Sequence, residues 1–236
     1  MNIKETVRDM MIFSDQEYCY MTAADSCAGV GPMPGDSLRC GALTVGMSTA
    51  RVPLLEVLAA GGVPVFASFT VGCGGIIADE LIEGARSVLG DLPTLISTEK
   101  NMPVTQTSLG VTVTARCSAH GLFLSQAKSG DALYCAGRPL VGKEVLDASV
   151  LLEPRHIIAL AADKRVHAII PSGSHGVAFE AGTIAKESRL IPEIWDKTAV
   201  DVYKSAGPAT CAVFAAAPGD ANFGIDLPVF EIGVLR

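Results

Sequence analysis

Paired cysteines are missing from this sequence. Its seven, Cys19, Cys27, Cys40, Cys73, Cys117, Cys135 and Cys211, are odd in number and never stand as CxxC. That pattern fits neither a disulfide framework nor a zinc knuckle, so reduced thiols in a cytoplasmic protein are expected. A basic excess is missing too: the formal net charge is -7 and the Lys and Arg residues are scattered, which argues against a nucleic-acid partner. No uncharged apolar run reaches about 18 residues, so no membrane partner is expected. Met1 to Ser14 carries Lys4, Glu5, Arg8 and Asp9 among its apolar positions, unlike a signal peptide. There is no HxxxH or HxE for zinc and no GxSxG for a hydrolase serine.

What is present is a chain that can bury a large core. Hydrophobic residues make up 49% and charged residues 18%, which excludes a disordered protein and points to a homo-oligomer hiding further surface. Val52 to Ala60 reads as a helix, with Pro53 in its first turn and Gly61-Gly62 stopping it. Val63 to Val71 reads as a strand, 76 to 89 as a helix, and 94 to 97 and 109 to 117 as strands. In the last of these Leu109, Val111, Val113 and Ala115 alternate with small and polar residues, as one buried sheet face requires. The polar stretch from Ser118 to Gly130 marks a domain boundary, giving domains of 1–118 and 119–236. In the second, strands are predicted at 132–136, 166–170, 210–216 and 227–234, with helices at 154–164 and 176–188. The class is α+β. His156 and His167 lie in or beside apolar runs and read as structural histidines.

Three segments carry candidate chemistry. In the first, Asp25 and Asp36 flank Gly29, Gly31 and Gly35; such a stretch brings backbone amides to an anion and carboxylates to a Mg²⁺ ion, or simply makes turns. The second is Ser97-Thr98-Glu99-Lys100, a carboxylate and an amine at a strand end, where α/β sheets place ligands. The third is Ser172-Gly173-Ser174-His175-Gly176, entering a helix. It presents amides and hydroxyls to an anion, or is an ordinary cap with Ser174 as the capping residue. A further polar stretch, Lys204-Ser205-Ala206-Gly207-Pro208, precedes another strand. Neither a Walker A loop nor GxGxxG is present.

Taken in order, these pieces resemble the PurM-like superfamily of aminoimidazole ribonucleotide synthetase, selenophosphate synthetase, thiamine-monophosphate kinase and the hydrogenase-maturation dehydratase. Ala24-Asp25-Ser26 falls at their metal-binding start, and Pro34-Gly35-Asp36 at a Pro-Gly-Gly-Asp-like turn. Gly61-Gly62-Val63-Pro64 falls at their Gly-Ala-x-Pro segment, Ser97-Thr98-Glu99 at Gly-Gly-Glu-Thr, and Ser129-Gly130-Asp131 at the opening of their second domain. The resemblance implies an N-terminal sheet-forming domain that pairs across a homodimer, a C-terminal α+β domain, and ATP with Mg²⁺. Carried over position by position, Asp25, Asp36 and Glu99 hold magnesium, with Asp25 and Lys204 catalytic. Gly35, Thr98, Lys100, Ser172, Gly173, Ser174 and Ser205 line the nucleotide site. Ser48-Thr49 stands where the relatives have Asn-Asp, so one metal carboxylate is absent. The short second domain, with Val141-Gly142-Lys143-Glu144 and Lys204-Ser205-Ala206-Gly207-Pro208, is most similar to the α-ribazole kinase branch. The expected activity is ATP-dependent phosphorylation of a nucleoside-like hydroxyl in the assembly of the cobalamin lower ligand. The alternatives are a nucleotide-binding regulatory protein and an ATP-dependent ligase or dehydratase.

Overall fold

A computed structural model describes residues 2, 3 and 6–236. The chain divides into two compact units, Met1–Val57 with Gly62–Gly121 and Leu58–Gly61 with Leu122–Arg236.

Up to Ser118 the elements are β1 (Asn2–Ile3), β2 (Met10–Ser14), β3 (Tyr18–Ala28), β4 (Val30–Gly31), β5 (Leu38–Arg39), α1 (Ala42–Ala59), β6 (Val63–Val71), α2 (Gly75–Leu89), β7 (Thr94–Thr98) and β8 (Ser108–Ser118). Six of these strands form one sheet in the order β1-β2-β3-β8-β6-β7. All neighbours are antiparallel except β6 and β7, whose parallel pairing requires the crossover that α2 supplies. β3 and β8 pair over eleven residues, from Tyr18 opposite Ser118 to Ala28 opposite Ser108. The period of two sends Met21, Ala23, Ala67, Phe69, Val111 and Val113 into the core. The opposite face stays open, with rows running Met11-Thr22-Thr114-Phe66 and Ala24-Thr112-Ser68-Leu95. On that face Met11, Phe66 and Leu95 are exposed, and the hydroxyls of Thr22 and Thr114 meet at 3.0 Å.

Two expectations change here. Strands β2 and β3 stand where no element is predicted, and β3 runs into the start of the Gly-Asp segment, so Asp25 stands on a strand. The first helix begins at Ala42, ten residues before the predicted Val52, and Pro53 lies inside it. Pro53 removes one helix hydrogen bond. Burial outweighs that loss, because Ala42, Val45, Ala50, Leu54, Leu55, Val57 and Ala59 are buried around most of the helix. The helix is long and apolar enough to cross a membrane by length and composition, yet 61% of it is buried in the fold, as in a core helix. It meets α2 by close backbone approach: a methyl on Gly46 would strike the Leu81 carbonyl, and one on Gly84 the Leu43 carbonyl.

The second unit contains β9 (Ala132–Gly137), α3 (Lys143–Asp147), α4 (Pro154–Ala162), β10 (Val166–Pro171), α5 (Val177–Glu187), β11 (Pro192–Ile194), β12 (Cys211–Ala216) and β13 (Val229–Leu235). Its antiparallel sheet runs β10-β12-β9-β13-β11. Every residue of β9 and β12 is buried, so both faces of the sheet are covered. One face packs Leu133, Cys135, Ala168, Val213 and Ile232 against Val177, Ala181 and Ile184 of α5. The other carries a ring cluster, Tyr134 stacked on Phe214 at 5.1 Å with Phe223 edge-on to both. The two histidines are engaged structurally. His156 Nδ1 accepts from the Glu153 amide at 2.9 Å, which leaves the proton on Nε2, 2.7 Å from Asp226. His167 Nδ1 sits 2.7 Å from Asp131.

Candidate active site

In the first unit Asp25 projects from β3 on the same face as Met21 and Ala23, opposite Val111 of β8. Burial pushes its carboxyl up to about 6, against the lowering effect of a hydrogen bond from the Ser26 backbone. Cys27, two residues along the same face, is raised by burial and by the charges of Asp25, Cys40 and Asp36, while a hydrogen bond with Thr49 lowers it. Thr49, the position where the resemblance expects a carboxylate, therefore lies in the Asp25 neighbourhood and supplies only a hydroxyl.

Asp36 has a different task. Its Oδ1 accepts from the Thr107 amide at 2.8 Å, and its Oδ2 from the Thr107 hydroxyl at 2.7 Å and the Met33 amide at 2.8 Å. Burial alone would raise this carboxyl, but the Thr107 and Met33 donors outweigh burial and hold it below the usual range. The carboxylate is spent on closing the 29–41 segment onto residue 107. Gly35 is equally committed, its amide donating to Thr105 O at 2.7 Å and its carbonyl accepting from Gln106 Nε2 at 2.9 Å. Asp36, expected at magnesium, and Gly35, expected at the nucleotide, are thus both engaged in holding this turn.

Glu99 follows β7. Its Oε1 accepts from the Asn101 amide at 2.6 Å and the Met102 amide at 3.1 Å, and these donors hold the carboxyl below its ordinary pKa. Thr98 and Glu99 border a cavity of about 530 Å³ shared with Ser26, Thr70, Ser97 and Ser108. Ser26, Gly110, Thr70 and Ser97 form one register row of the open sheet face, so this cavity is rich in hydroxyls. Lys100 is exposed and does not line it. Asp25, Asp36 and Glu99 are the expected metal carboxylates. Among the described residues no group of three or more His, Cys, Asp or Glu side chains is arranged to hold a metal ion.

In the second unit the fold brings two predicted loops together. The Gly173 carbonyl accepts from the Gly176 amide at 3.2 Å and the Ala206 amide at 3.1 Å. Gly176, at φ +83, abuts the Lys204 carbonyl so closely that a Cβ would lie 2.7 Å from it. Gly176 itself precedes α5, with no side-chain cap, so Ser174 is not the capping residue and stands exposed. Ser172 is fully buried, and its Oγ has no hydrogen-bond partner among the described residues. A buried unpaired hydroxyl costs stability, which makes it the most demanding donor of the loop pair. Ser205 Oγ makes only a long 3.5 Å contact with the Gly207 amide. Lys204, expected to meet phosphate, is held by Glu144, with Nζ 2.6 Å from Oε2. The sequence names both Glu144 and Lys204 but not their pairing, which spans 60 residues.

No family model matches the chain, and no curated protein matches it in sequence. Solved structures do. The thiamine-monophosphate kinase of Stenotrophomonas maltophilia K279a is 16% identical over 96% of this chain and 88% of its own, with a TM-score of 0.66. AaThiL complexed with AMPPCP and TMP is 14% identical over 97% of this chain and 84% of its own, with a TM-score of 0.65. PurL of T. maritima complexed with ATP is 14% identical over 97% of this chain and 37% of its own, with a TM-score of 0.57. The chain has the PurM-like fold, an α+β architecture that it shares with ThiL and with part of PurL.

Proposed function

We propose that the protein is an ATP- and magnesium-dependent phosphotransferase acting on a hydroxyl of a small nucleoside-like molecule. The first acceptor to test is α-ribazole, taken to α-ribazole 5-phosphate for the cobalamin lower ligand. The observation that carries this reading is the fold likeness, over nearly the whole chain, to thiamine-monophosphate kinase and to AaThiL bound to AMPPCP and TMP. Magnesium is commonly held by one or two carboxylates with the phosphates completing its shell, so a three-carboxylate cage is not needed. Asp25 and the free oxygen of Glu99 are the carboxylates assigned to it, and Asp36 is assigned to the turn. The ion, when bound, offsets phosphate charge. Ser172, Gly173, Ser174 and Ser205 are assigned to the phosphates and Lys204 to the transferring group. Thr98 and Lys100 are assigned to the nucleotide. The setting is cytoplasmic, and the open sheet face bearing Met11, Phe66 and Leu95 is the surface assigned to a homodimer.

A crystal grown with a nonhydrolysable ATP analogue and magnesium tests the assignment. Metal density touching Asp25 or Glu99 is the expected result. An ordered triphosphate touching neither, with no density at the 171–176 loop, would remove these residues from the reaction. A second reading, a nucleotide sensor without turnover, is favoured by Thr49 standing where a carboxylate is expected. It predicts analogue binding with no product from any nucleoside.

A further inference from the structure

The chain between β11 and Lys204 folds back around a cavity of about 640 Å³ lined by residues 194–203. Both ends of this loop are anchored. The Trp195 amide donates to Ile232 O at 3.0 Å, and the Ala178 amide of α5 donates to Val202 O at 2.8 Å. Between them Val200 and Val202 are buried in the core. Thr198 Oγ1 donates to Val200 O at 2.6 Å, and the Tyr203 amide to Asp201 Oδ1 at 3.0 Å. The wall is thus preformed, and its volume falls in the range of small-molecule sites, roughly 300–1,000 Å³. Two large rings line it without being buried: Trp195 is 42% exposed and Tyr203 78%. Neither ring stacks on another aromatic ring among the described residues. Apolar ring faces left in water on a rigid wall gain free energy when a flat ring covers them. The polar lining is Asp196, Lys197, Thr198 and Asp201, in which the carboxylates outnumber the cation. Carboxylates and loop carbonyls accept hydrogen bonds, so they favour a ring that carries N–H donors and disfavour an anionic one.

We propose that this cavity is a binding site for a planar heteroaromatic molecule of nucleobase size bearing amino groups, covered by Trp195 and Tyr203, with its N–H donors accepted by Asp196 and the loop carbonyls. The site stands on its own geometry and needs no phosphoryl transfer.

Trp195 is the single tryptophan of the chain, so its fluorescence reports this cavity directly. Adenine, benzoate and ribose are titrated separately, without ATP or magnesium. Saturable quenching or a blue shift is expected with adenine alone. Tyr203→Ala, at an exposed position, should leave the far-UV circular dichroism unchanged and weaken adenine binding by about 10-fold or more, the effect of losing one stacking surface. The inference is overturned by any of three results: no saturable change with adenine at millimolar concentration, equal responses to benzoate, or unaltered adenine affinity in Tyr203→Ala. Because ATP is absent, failure here leaves the phosphotransferase reading intact, and failure of that reading leaves this titration interpretable.

Discussion

The Lys204 ammonium nitrogen lies 2.6 Å from Glu144 Oε2, tying the loop after the Tyr203 cavity to the start of α3. The Glu144 carboxylate also accepts from the Val141 amide, and the two partners together hold it below the usual carboxylate range. The pair is half exposed, so its worth to stability is small and its worth to charge placement is larger. Lys204→Met should lower kcat by roughly 10-fold or more, as loss of a transition-state charge partner does, while moving the melting temperature by no more than about 2 °C. Glu144→Gln, which releases the ammonium, should tighten binding of the ATP analogue. Steady-state kinetics with calorimetry check both.

Asp25 makes stability depend on pH in an unusual direction. Its folded-state value is near 6, against 3.8 for an unperturbed aspartate, so between about pH 4 and 6 the folded chain holds a proton that the unfolded chain has released. Stability from this group therefore falls as pH rises through that window and stays low at neutrality. The difference is about 3 kcal/mol at most. Asp25→Asn should raise the urea midpoint at pH 7 more than at pH 4 and abolish turnover. A variant with normal turnover would remove Asp25 from the chemistry.

Asp36 behaves in the opposite sense. Its carboxyl is depressed, so its contribution is present above pH 4 or so and is lost as pH falls through the folded-state value. Asp36→Asn strands the Thr107 donors and should cost about 1–3 kcal/mol in urea unfolding. Magnesium dependence of analogue binding should be unchanged in the folded fraction, which a metal-ligand role would not allow.

Gly176 sits at φ +83 against the Lys204 carbonyl. Gly176→Ala therefore meets both backbone strain and a steric barrier, and it should destabilise by more than about 1 kcal/mol. Faster hydrogen exchange at Ala206 and Ala178 would show the two loops separating.

The alternation of Leu109 to Ala115 and the apolar stripe of α2 made β8 and α2 legible, because each buries one face and exposes the other. α1 is buried on nearly every side, with small residues such as Gly46, Ser48 and Thr49 interleaved. Periodicity therefore carried little contrast, and Pro53 resembled a helix start. β3 hid for a similar reason: Thr22, Ala24 and Ser26 on its open face are small, and its inward row of Met21, Ala23, Asp25 and Cys27 is interrupted by a carboxylate. The sequence motifs singled out Asp25, Glu99 and both second-unit loops as candidates, and spacing alone did not reveal that Asp36 is bonded to Thr107 or Lys204 to Glu144. Those partners lie 71 and 60 residues away and meet only through the sheets.

The central claim is transfer of the γ-phosphoryl group of ATP to a small hydroxyl. Incubation of the purified protein with γ-labelled ATP, magnesium and a nucleoside panel that includes α-ribazole tests it most directly. The account predicts label on the 5′-hydroxyl of one nucleoside with stoichiometric ADP, lost in Asp25→Asn. Tight binding of ATP with no labelled product from any member of the panel would contradict it.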